Sequence, residues 1–432
     1  MTTTILLQLA VIFGVLFLTM FLRFPFFLSC FASAAAYAII WPGAMPDFVF
    51  GQTFVQGLSN QTYASVIFYM FLGQIMTSGG IGDRLVDFLN SILGPLKGSL
   101  SHINVLDSMI FAGVSGSAVA DTASIGGMMI PLMKKQGYDA PYAAAITQMT
   151  SIIGPIIPPS TTFVLIASML DLSVRKLFLA GLVPGIAMGL LMLAYSVYIS
   201  HKRNYPSSPF GGWKNVWKQF KVNFWALLLP AGLIYLLSAG IGTVTEIGAV
   251  SCIFALFISM VVYKEMDFKG LVKAVMATAR QVATVLSMLA AASVFIWIIG
   301  SMNFSPKLAT FMAGTGMSGI AMYLLAMLII FFLGMILETS IITLVFIPVL
   351  AAPLIAAGID PYVFSVGAAI TCAIGLNTPP VGTLLYMTAR FAETDPLKVA
   401  KESIPFILVL LFLVVLMAFV PQIATFYPNL VF

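Results

Sequence analysis

Two short segments place glycine, paired prolines and oxygen-bearing groups inside otherwise apolar sequence. Residues 154–159 read GPIIPP, and residues 375–380 read GLNTPP, with Asn377 and Thr378 adding side-chain oxygens. Proline lacks a backbone donor and clashes with the preceding helical turn, so neither segment can be helical throughout. Unwinding leaves backbone carbonyls free, and clustered oxygens suit a hard cation such as sodium. The two segments are therefore candidate sodium sites.

A second polar interruption, carrying one acidic residue, lies upstream of each of these segments. The first spans residues 113–121 (GVSGSAVAD) and ends at Asp121, and the second spans residues 334–340 (GMILETS) and contains Glu338. We interpret each interruption as the tip of a hairpin whose returning helix points its N-terminus at the membrane midplane, where its positive dipole end favours a carboxylate. Ionisable residues in such surroundings are functional candidates. Ion coordination and helix capping both remain open for the two acids.

The chain is strongly apolar overall, so the few polar residues inside its apolar runs are informative. The chain has 432 residues, of which 60% are hydrophobic and only 8% are charged, against about 25% charged in a soluble domain. Such a chain cannot cover a water-facing surface, which excludes soluble enzymes, secreted disulfide scaffolds and nucleic-acid-binding proteins. We predict an all-α polytopic membrane protein that is not an enzyme and needs no cofactor.

Apolar runs and basic residues predict the topology. Runs long enough to cross a bilayer lie at residues 3–22, 25–41, 61–79, 177–200, 223–241, 245–263, 283–301 and 404–420. Residues 201–221 contain five basic residues and no acid, which predicts a cytoplasmic loop, and the basic residues at 264–280 and 390–401 fall on the same side. Both termini then lie outside. Trp213 and Trp217, interleaved with lysines, predict an amphipathic helix on the inner membrane surface.

Rare residues recur at the same distances in two halves of the chain. Gly137 matches Gly358, Gly154 matches Gly375 and Pro158-Pro159 matches Pro379-Pro380, all at an offset of 221 (375 minus 154). Asp121 matches Glu338 at an offset of 217 (338 minus 121), which predicts a four-residue insertion downstream of Glu338. Each half then crosses the membrane five times, and the odd number inverts the second copy. Inverted repeats with broken helices are typical of secondary transporters.

These patterns predict the domain organisation. A first inverted repeat occupies residues 1–200, with a re-entrant hairpin at 98–134 and a discontinuous helix at 138–170. A cytoplasmic amphipathic linker follows at 201–222. The second repeat occupies 223–432, with its hairpin at 318–352 and its discontinuous helix at 360–390. Asp139 and Asp360, which precede the two discontinuous helices, are predicted to be N-terminal caps.

The two motif blocks resemble a known family. Residues 111–160 read FAGVSGSAVADTASIGGMMIPLMKKQGYDAPYAAAITQMTSIIGPIIPPS, and residues 334–382 read GMILETSIITLVFIPVLAAPLIAAGIDPYVFSVGAAITCAIGLNTPPVG. Both are similar to the signatures of the large membrane (M) subunit of tripartite ATP-independent periplasmic (TRAP) transporters, and the likeness extends over essentially the whole chain. The family usually has an aspartate in place of Glu338 and an apolar residue in place of Asn377.

The resemblance implies a multi-pass protein of the bacterial inner membrane that takes up an organic acid, such as a C4-dicarboxylate or sialic acid, together with sodium. It implies an elevator, in which hairpins and broken helices form a transport domain that moves against a scaffold of the other spans. A periplasmic binding protein would deliver the substrate. A small four-helix membrane (Q) subunit would be the constant partner, expected as a separate chain because no four extra spans precede Met1.

Residue patterns and resemblance together predict three sets of site residues, with sodium as the only metal. The first sodium site comprises Ser115, Ser117, Asp121, Gly154 and Pro155. The second sodium site comprises Gly334, Glu338, Thr339, Gly375, Asn377 and Thr378. The substrate site comprises Ser115, Ser160, Thr161, Thr339 and Thr378. The hydroxyls that follow the first Pro-Pro pair could equally bond their own helix.

Other functions remain open at this stage. A stand-alone sodium and divalent-anion symporter would take up its substrate without a binding protein. A structural or proton-translocating subunit of a membrane complex would bury lysines in mid-span, whereas the lysines of this chain lie at span ends. An ion channel would need a filter motif, and the paired breaks suit an occluded site better.

Overall fold

The computed structural model describes residues 3–60, 62–314 and 316–432, with side chains described for all of these except residues 3, 47, 83, 112–115, 305, 312 and 313. The first half contains α1 (Thr3–Phe21), α2 (Phe26–Ile40), α3 (Asp47–Gln56), α4 (Tyr63–Ser78), α5 (Ile81–Leu93), α6 (Ser99–Ser115), α7 (Ala118–Lys135), α8 (Ala140–Ser151), α9 (Thr161–Leu170) and α10 (Val174–Lys202). The second half contains α11 (Trp213–Ala239), α12 (Val244–Phe257), α13 (Phe268–Ser301), α14 (Phe304–Gly314), α15 (Gly319–Gly334), α16 (Thr339–Ile341), α17 (Ile347–Ala356), α18 (Pro361–Gly375), α19 (Thr383–Ala392), α20 (Pro396–Phe419) and α21 (Gln422–Val431). Two π-helical turns, Ile258–Val262 and Ile342–Phe346, follow α12 and α16.

The predicted class, an all-α polytopic membrane protein, is confirmed. Within the described ranges there is no β-strand, and seven helical stretches are long and apolar enough to cross a bilayer. Shorter apolar helices, such as α4 and α18, lie among them. Their polar backbone groups are satisfied within each helix, which is the requirement for spanning lipid.

Each half contains a helix–turn–helix where a hairpin is predicted. In the first half, α6 and α7 are separated only by Gly116 and Ser117, and Ser117 caps α7 by accepting a hydrogen bond from the Ala120 amide at 3.4 Å. In the second half, α15 ends at Gly334 and the returning helix begins after Glu338, which occupies its N-cap position. Helix α16, the π turn and α17 then form one stretch, Thr339–Ala356.

Each half also contains a helix interrupted at its Pro-Pro pair. Helix α8 ends at Ser151 and α9 begins at Thr161, while α18 ends at Gly375 and α19 begins at Thr383. Both Pro-Pro peptide bonds, 158–159 and 379–380, are cis. The segments predicted to unwind are therefore non-helical.

The helix bounds correct the register between the two halves. Helix α7 and the stretch Thr339–Ala356 each have 18 residues and begin 221 positions apart (339 minus 118). The position equivalent to Ser117 is therefore Glu338, and the position equivalent to Asp121 is Ile342. The predicted pairing of Asp121 with Glu338, and the insertion it required, are wrong. An acid is favourable both at the N-cap and in the first turn of a helix, so residue type alone did not determine the register.

Two long helices also differ from the predicted spans. The amphipathic segment predicted within residues 201–222 forms the first turns of α11, which continues without a break to Ala239. Helix α13 likewise begins at Phe268, well before the predicted span at 283–301, and runs for 34 residues. Lysine, arginine and alanine are good helix formers, so the polar segment that precedes each of these apolar spans is also helical.

The helices pack into two groups. Helices α2–α4 contact α13 and α4 also contacts α12, whereas α7–α10 contact α18–α21 and α15 contacts α18. The centre of the second group is formed by α8 and α18, which are buried along almost their whole length. Gln148 of α8 donates a hydrogen bond to Ser403 Oγ at 2.7 Å and accepts one from Thr388 Oγ1 at 3.0 Å. These bonds join the first half of the chain to the second.

A charged cluster closes one end of this group. Arg203 donates to both carboxylate oxygens of Glu402 at 2.9 Å and to Asp139 at 3.0 Å, and Tyr205 donates to Asp139 at 2.8 Å. Burial disfavours the charged guanidinium, but the hydrogen bonds of Arg203 to Glu402 and Tyr205 outweigh it and raise the pKa of Arg203 above its ordinary value. Asp139 makes no cap, which corrects one prediction, whereas Asp360 caps α18 as expected.

Replacing Gln148 by leucine tests the contact between the halves. Gln148 is fully buried, and its loss removes two hydrogen bonds, although Thr388 and Ser403 keep bonds to their own helices. We expect Gln148→Leu to lower the free energy of unfolding by about 1–2 kcal/mol, seen as a lower thermal midpoint of the purified protein. The matched variant Gln52→Leu, at an exposed position of α3, should leave the midpoint unchanged. Equal midpoints for both variants would contradict the contact.

Candidate functional site

A cavity of about 470 Å³ lies where both hairpin tips meet helices α4 and α13. Its polar lining comes from Gln74, Thr77, Ser117, Thr161, Thr162, Gln281, Thr284, Glu338, Thr339, Ser340 and Thr343. Among the described side chains, neither lysine nor arginine lines it. An anion bound there would therefore depend on helix N-termini and on bound cations for its positive partners.

The first tip rests directly on the first break. Thr161 Oγ1 donates a hydrogen bond to the Gly116 carbonyl at 3.0 Å. Gly116 has a φ of +57°, and a Cβ there would lie 2.8 Å from the Pro159 carbonyl oxygen, so only glycine fits the turn. The tip and the unwound segment thus form one surface.

The structure brings together Asp121 and Gly154, two predicted members of the first sodium site. Asp121 is fully buried, and a Cβ placed on Gly154 would overlap its carboxylate oxygen Oδ2. The Pro155 carbonyl already accepts a hydrogen bond from Ser160 Oγ. Ser117 lines the cavity and caps α7. The side chain of Ser115, assigned to both the sodium and the substrate sets, lies outside the described residues.

The second tip touches its break through backbone atoms. A Cβ placed on Gly375 would lie 2.5 Å from both the Cα and the carbonyl carbon of Gly334, and the Val381 amide donates to the Met335 carbonyl at 3.3 Å. Glu338 makes no capping hydrogen bond, is exposed and lines the cavity beside Thr339. The Glu338 side chain therefore faces the cavity, whereas the buried Asp121 side chain packs against Gly154 of the first break.

Asn377 offers a free oxygen at the second break. Its side chain is fully buried, and its Nδ2 donates to the Ala373 carbonyl at 3.2 Å. Its Oδ1 has no hydrogen-bond partner among the described residues. Thr378 instead donates to the Ile374 carbonyl at 3.0 Å and is absent from the cavity lining.

The corrected register identifies an equivalent pair that sequence reasoning missed. Thr122 and Thr343 lie 221 positions apart (343 minus 122), both are fully buried, and neither hydroxyl has a partner in the described part of the chain. A buried hydroxyl without a hydrogen bond is costly in apolar surroundings, so such a pair points to water or an ion. The offset of 221 was the signal that could have found them.

Sequence reasoning also missed two pairs of cavity-lining residues, one on α4 and one on α13. Gln74 and Thr77 of α4 line the cavity, as do Gln281 and Thr284 of α13. Residues three apart share a face of a helix. Each threonine donates to its own helix, to the Gly73 carbonyl at 2.9 Å and to the Arg280 carbonyl at 3.0 Å. Their oxygens can still accept hydrogen bonds from a ligand.

The residues predicted to bind substrate fall into two groups. Thr161 and Thr339 line the cavity. Ser160 is fully buried and caps α9, because its hydroxyl accepts from the Phe163 amide at 3.1 Å. Ser160 and Thr378 therefore bond their own segments. For Ser160, which follows the first Pro-Pro pair, this was the alternative left open.

Comparison with known proteins gives consistent matches. The family described as "Tripartite ATP-independent periplasmic transporter, DctM component" matches residues 13–423. The 2,3-diketo-L-gulonate TRAP transporter large permease protein YiaN of Escherichia coli is 32% identical over 374 residues, covering 87% of this chain and 88% of that protein. The sialic acid TRAP transporter large permease protein SiaM of Vibrio cholerae is 32% identical over 419 residues, covering 97% and 98%. The solved YdaH transporter of Alcanivorax borkumensis has a TM-score of 0.65 at 16% identity over 88% of each chain, and so shares the fold.

Alanine at the two break glycines tests the packing of the tips. In Gly375→Ala the new methyl group meets the backbone of Gly334, which cannot rotate away, whereas in Gly154→Ala it meets the Asp121 side chain. We expect Gly375→Ala to destabilise the protein by about 1–3 kcal/mol, and Gly154→Ala by less, in thermal unfolding of the purified chain.

Gly127 of α7 provides the control for both glycine variants. A Cβ there would meet nothing within 4 Å, and alanine favours a helix over glycine. Gly127→Ala should therefore unfold at or above the midpoint of the unchanged protein. If Gly375→Ala behaved in the same way, the close backbone contact would be disproved.

Proposed function

The chain belongs to the DctM-component family of TRAP transporters, and we propose that it takes up an organic acid together with sodium ions. It is the large permease subunit of such a transporter, a multi-pass protein of the inner membrane. The observation that carries the proposal is the cavity at which both tips and both breaks converge. Membrane-embedded sites of secondary transporters are typically built from discontinuous helices of this kind.

The substrate carboxylate is proposed to bind the N-terminus of α7. Residues Ser117 to Ala120 line the cavity, and the first amides of a helix lack intrahelical acceptors and carry partial positive charge. The N-terminus of α16, with Thr339 and Ser340, lies on the same cavity. Since Glu338 places a carboxylate there, an anionic substrate and Glu338 together would need a cation between them. This need is a physical reason for coupling to sodium.

The sodium ions are proposed to bind at the two breaks. At the first, the ligands are the Asp121 carboxylate, the Thr122 hydroxyl and carbonyls near Gly154 and Pro155. At the second, they are the Thr343 hydroxyl, Asn377 Oδ1 and carbonyls near Gly334 and Gly375. Three unpartnered buried oxygens, on Thr122, Thr343 and Asn377, support this assignment. Ser115, Ser117, Thr339 and Thr378 remain further candidates.

Movement of one helix group against the other would give alternating access. The cavity lies between the group containing α4 and α13 and the group containing both tips. It borders the C-terminal half of α4 and the middle of α13, from Gln281 to Met288, at the start of the span predicted at 283–301. The C-terminal end of α4 and the start of that span are the ends predicted to be cytoplasmic. We therefore propose an elevator in which this conformation opens toward the cytoplasm and the inverted second repeat supports the opposite opening.

The partners and substrate class are proposed from the relatives. YiaN and SiaM are each named as a TRAP transporter large permease protein, for 2,3-diketo-L-gulonate and for sialic acid. We propose that this chain works with a separate small membrane subunit and a periplasmic binding protein, and carries a sugar acid, sialic acid or a C4-dicarboxylate. The alternative is a symporter that acts without a binding protein.

Removing the two equivalent hydroxyls tests the sodium sites. Thr122→Val and Thr343→Val keep the side-chain shape and remove one proposed ligand each. We expect each variant to raise the sodium concentration for half-maximal uptake roughly 5- to 30-fold, equivalent to about 1–2 kcal/mol. The measurement is uptake into proteoliposomes with the small subunit and the loaded binding protein. Thr371→Val, a buried threonine on α18 away from the cavity, should leave sodium dependence unchanged.

A sodium dependence that was unchanged in both variants would remove the assignment of these two hydroxyls. Variants that fail to insert are recognised because they also lose membrane-extracted yield. Thr122→Ser and Thr343→Ser, which restore the hydroxyl, should then recover normal sodium dependence.

Uptake should require the binding protein. The acid is first identified by thermal-shift screening of the purified binding protein against sialic acid, 2,3-diketo-L-gulonate and C4-dicarboxylates. We expect uptake of that acid to stay near background when the binding protein is omitted, because no cationic side chain in the described part of the cavity could capture a free anion. Rapid uptake without the binding protein would favour the stand-alone symporter.

A further inference from the structure

Helix α11 is longer than the hydrocarbon layer that it crosses. It has 27 residues, so at 1.5 Å per residue it is about 40 Å long, against about 30 Å for the hydrocarbon core. Its apolar part is the C-terminal part, and its N-terminus lies on the side predicted to be cytoplasmic. The first two turns of α11 therefore stand in the lipid headgroup layer.

These two turns and the start of the third, from Trp213 to Lys221, present a basic and aromatic face. Lys214, Lys218 and Lys221 are all exposed, and their spacing of four and three places them on one stripe of the helix. Trp213 and Trp217 are 77% and 59% exposed. The Lys221 ammonium lies 5.5 Å from the centre of the Trp217 ring. Tryptophan is enriched at this depth of a membrane because its ring is apolar and its N–H is polar.

The rest of this helix segment is turned toward the protein. Helix α11 packs against α5, and Phe220 contacts Phe88 with ring centres 6.0 Å apart. The three lysine side chains project away from α5, while Trp217 stacks on Phe220 with ring centres 5.4 Å apart and so lies beside the packed face. The face is thus fixed in position by protein contacts while its charged groups remain outside the packed interior.

The positive charge of this face is not neutralised by the protein. None of the three lysines has a carboxylate within ion-pair distance among the described side chains, and residues 201–221 contain no acid. By contrast, Lys134 and Arg203 are paired with Glu393 and Glu402. Three ammonium groups without a described carboxylate partner are therefore available to bind an external anion.

We propose that this face, formed by Trp213, Lys214, Trp217, Lys218 and Lys221, binds the headgroup of an anionic phospholipid in the cytoplasmic leaflet. The ammonium groups take the phosphate, and the tryptophan rings lie against the glycerol region. A lipid fits better than an acidic protein because the helix that carries the face continues directly into an apolar span. A zwitterionic lipid offers the same phosphate without net charge, so the face should distinguish the two. Each lysine near an anionic surface contributes about fivefold to binding.

The experiment measures which lipid lies next to Trp213 and Trp217. The full-length chain, with Trp41, Trp225 and Trp297 replaced by phenylalanine, is reconstituted in phosphatidylcholine vesicles. A minority of the lipid is brominated, either as phosphatidylglycerol or as phosphatidylcholine, and bromine quenches nearby tryptophan fluorescence. We expect brominated phosphatidylglycerol to quench at least fivefold more per mole than brominated phosphatidylcholine.

Two triple variants identify the charges responsible. Lys214→Gln, Lys218→Gln and Lys221→Gln together should bring quenching by the two lipids to equality. The matched control, Arg390→Gln, Lys398→Gln and Lys401→Gln, removes the same charge elsewhere on the same predicted side and should keep the preference. If that triple variant does not fold, Lys214→Arg, Lys218→Arg and Lys221→Arg together should fold and keep the preference for brominated phosphatidylglycerol.

Three results would overturn the proposal. Equal quenching by both lipids in the starting protein would show that the face does not select an anion. Loss of selectivity in the matched control would show a general charge effect. Absence of quenching by either lipid would show that protein covers the face.

Discussion

The structure depends on one constraint: a backbone group inside the lipid layer must find a partner other than water. The two breaks leave helical geometry within a bundle whose central helices, α8 and α18, are almost fully buried. The hairpin tips provide some of these hydrogen-bond partners. Thr161 bonds the Gly116 carbonyl, and the Val381 amide bonds the Met335 carbonyl. Each break thus needs its hairpin, and the oxygens that remain are the ones available for a transported ion.

The two hairpins meet this constraint by different means. In the first, Asn104 of α6 donates to Thr147 at 2.6 Å and accepts from Thr150 at 3.1 Å, so polar bonds anchor the outgoing helix to α8. In the second, α15 is apolar, with Leu328 and Phe332 about half exposed. Its tip is held by direct backbone contact between Gly334 and Gly375. The two hairpins therefore have the same order of helices but different polar groups. Asp121 is buried, whereas Glu338 faces the cavity.

Sequence reasoning located the breaks and the tips because proline and glycine act locally on the backbone, at Pro158-Pro159 and Gly116 for example. It misplaced the register of Asp121 because an acid suits two positions of a helix start. It missed Thr122 and Thr343 because a threonine in an apolar run carries no sign of whether its hydroxyl has a partner. It also missed Gln74 and Gln281, because these residues belong to helices that only tertiary packing brings to the cavity.

The bonds of Gln148 have a consequence for biosynthesis. Its partners, Thr388 and Ser403, lie 240 and 255 residues further along the chain. While the ribosome makes the intervening segment, the central helix of the first half is already synthesised but its amide has no native acceptor or donor. The hydrogen bonds that join this helix to the second half can therefore form only after the chain has been synthesised as far as Ser403.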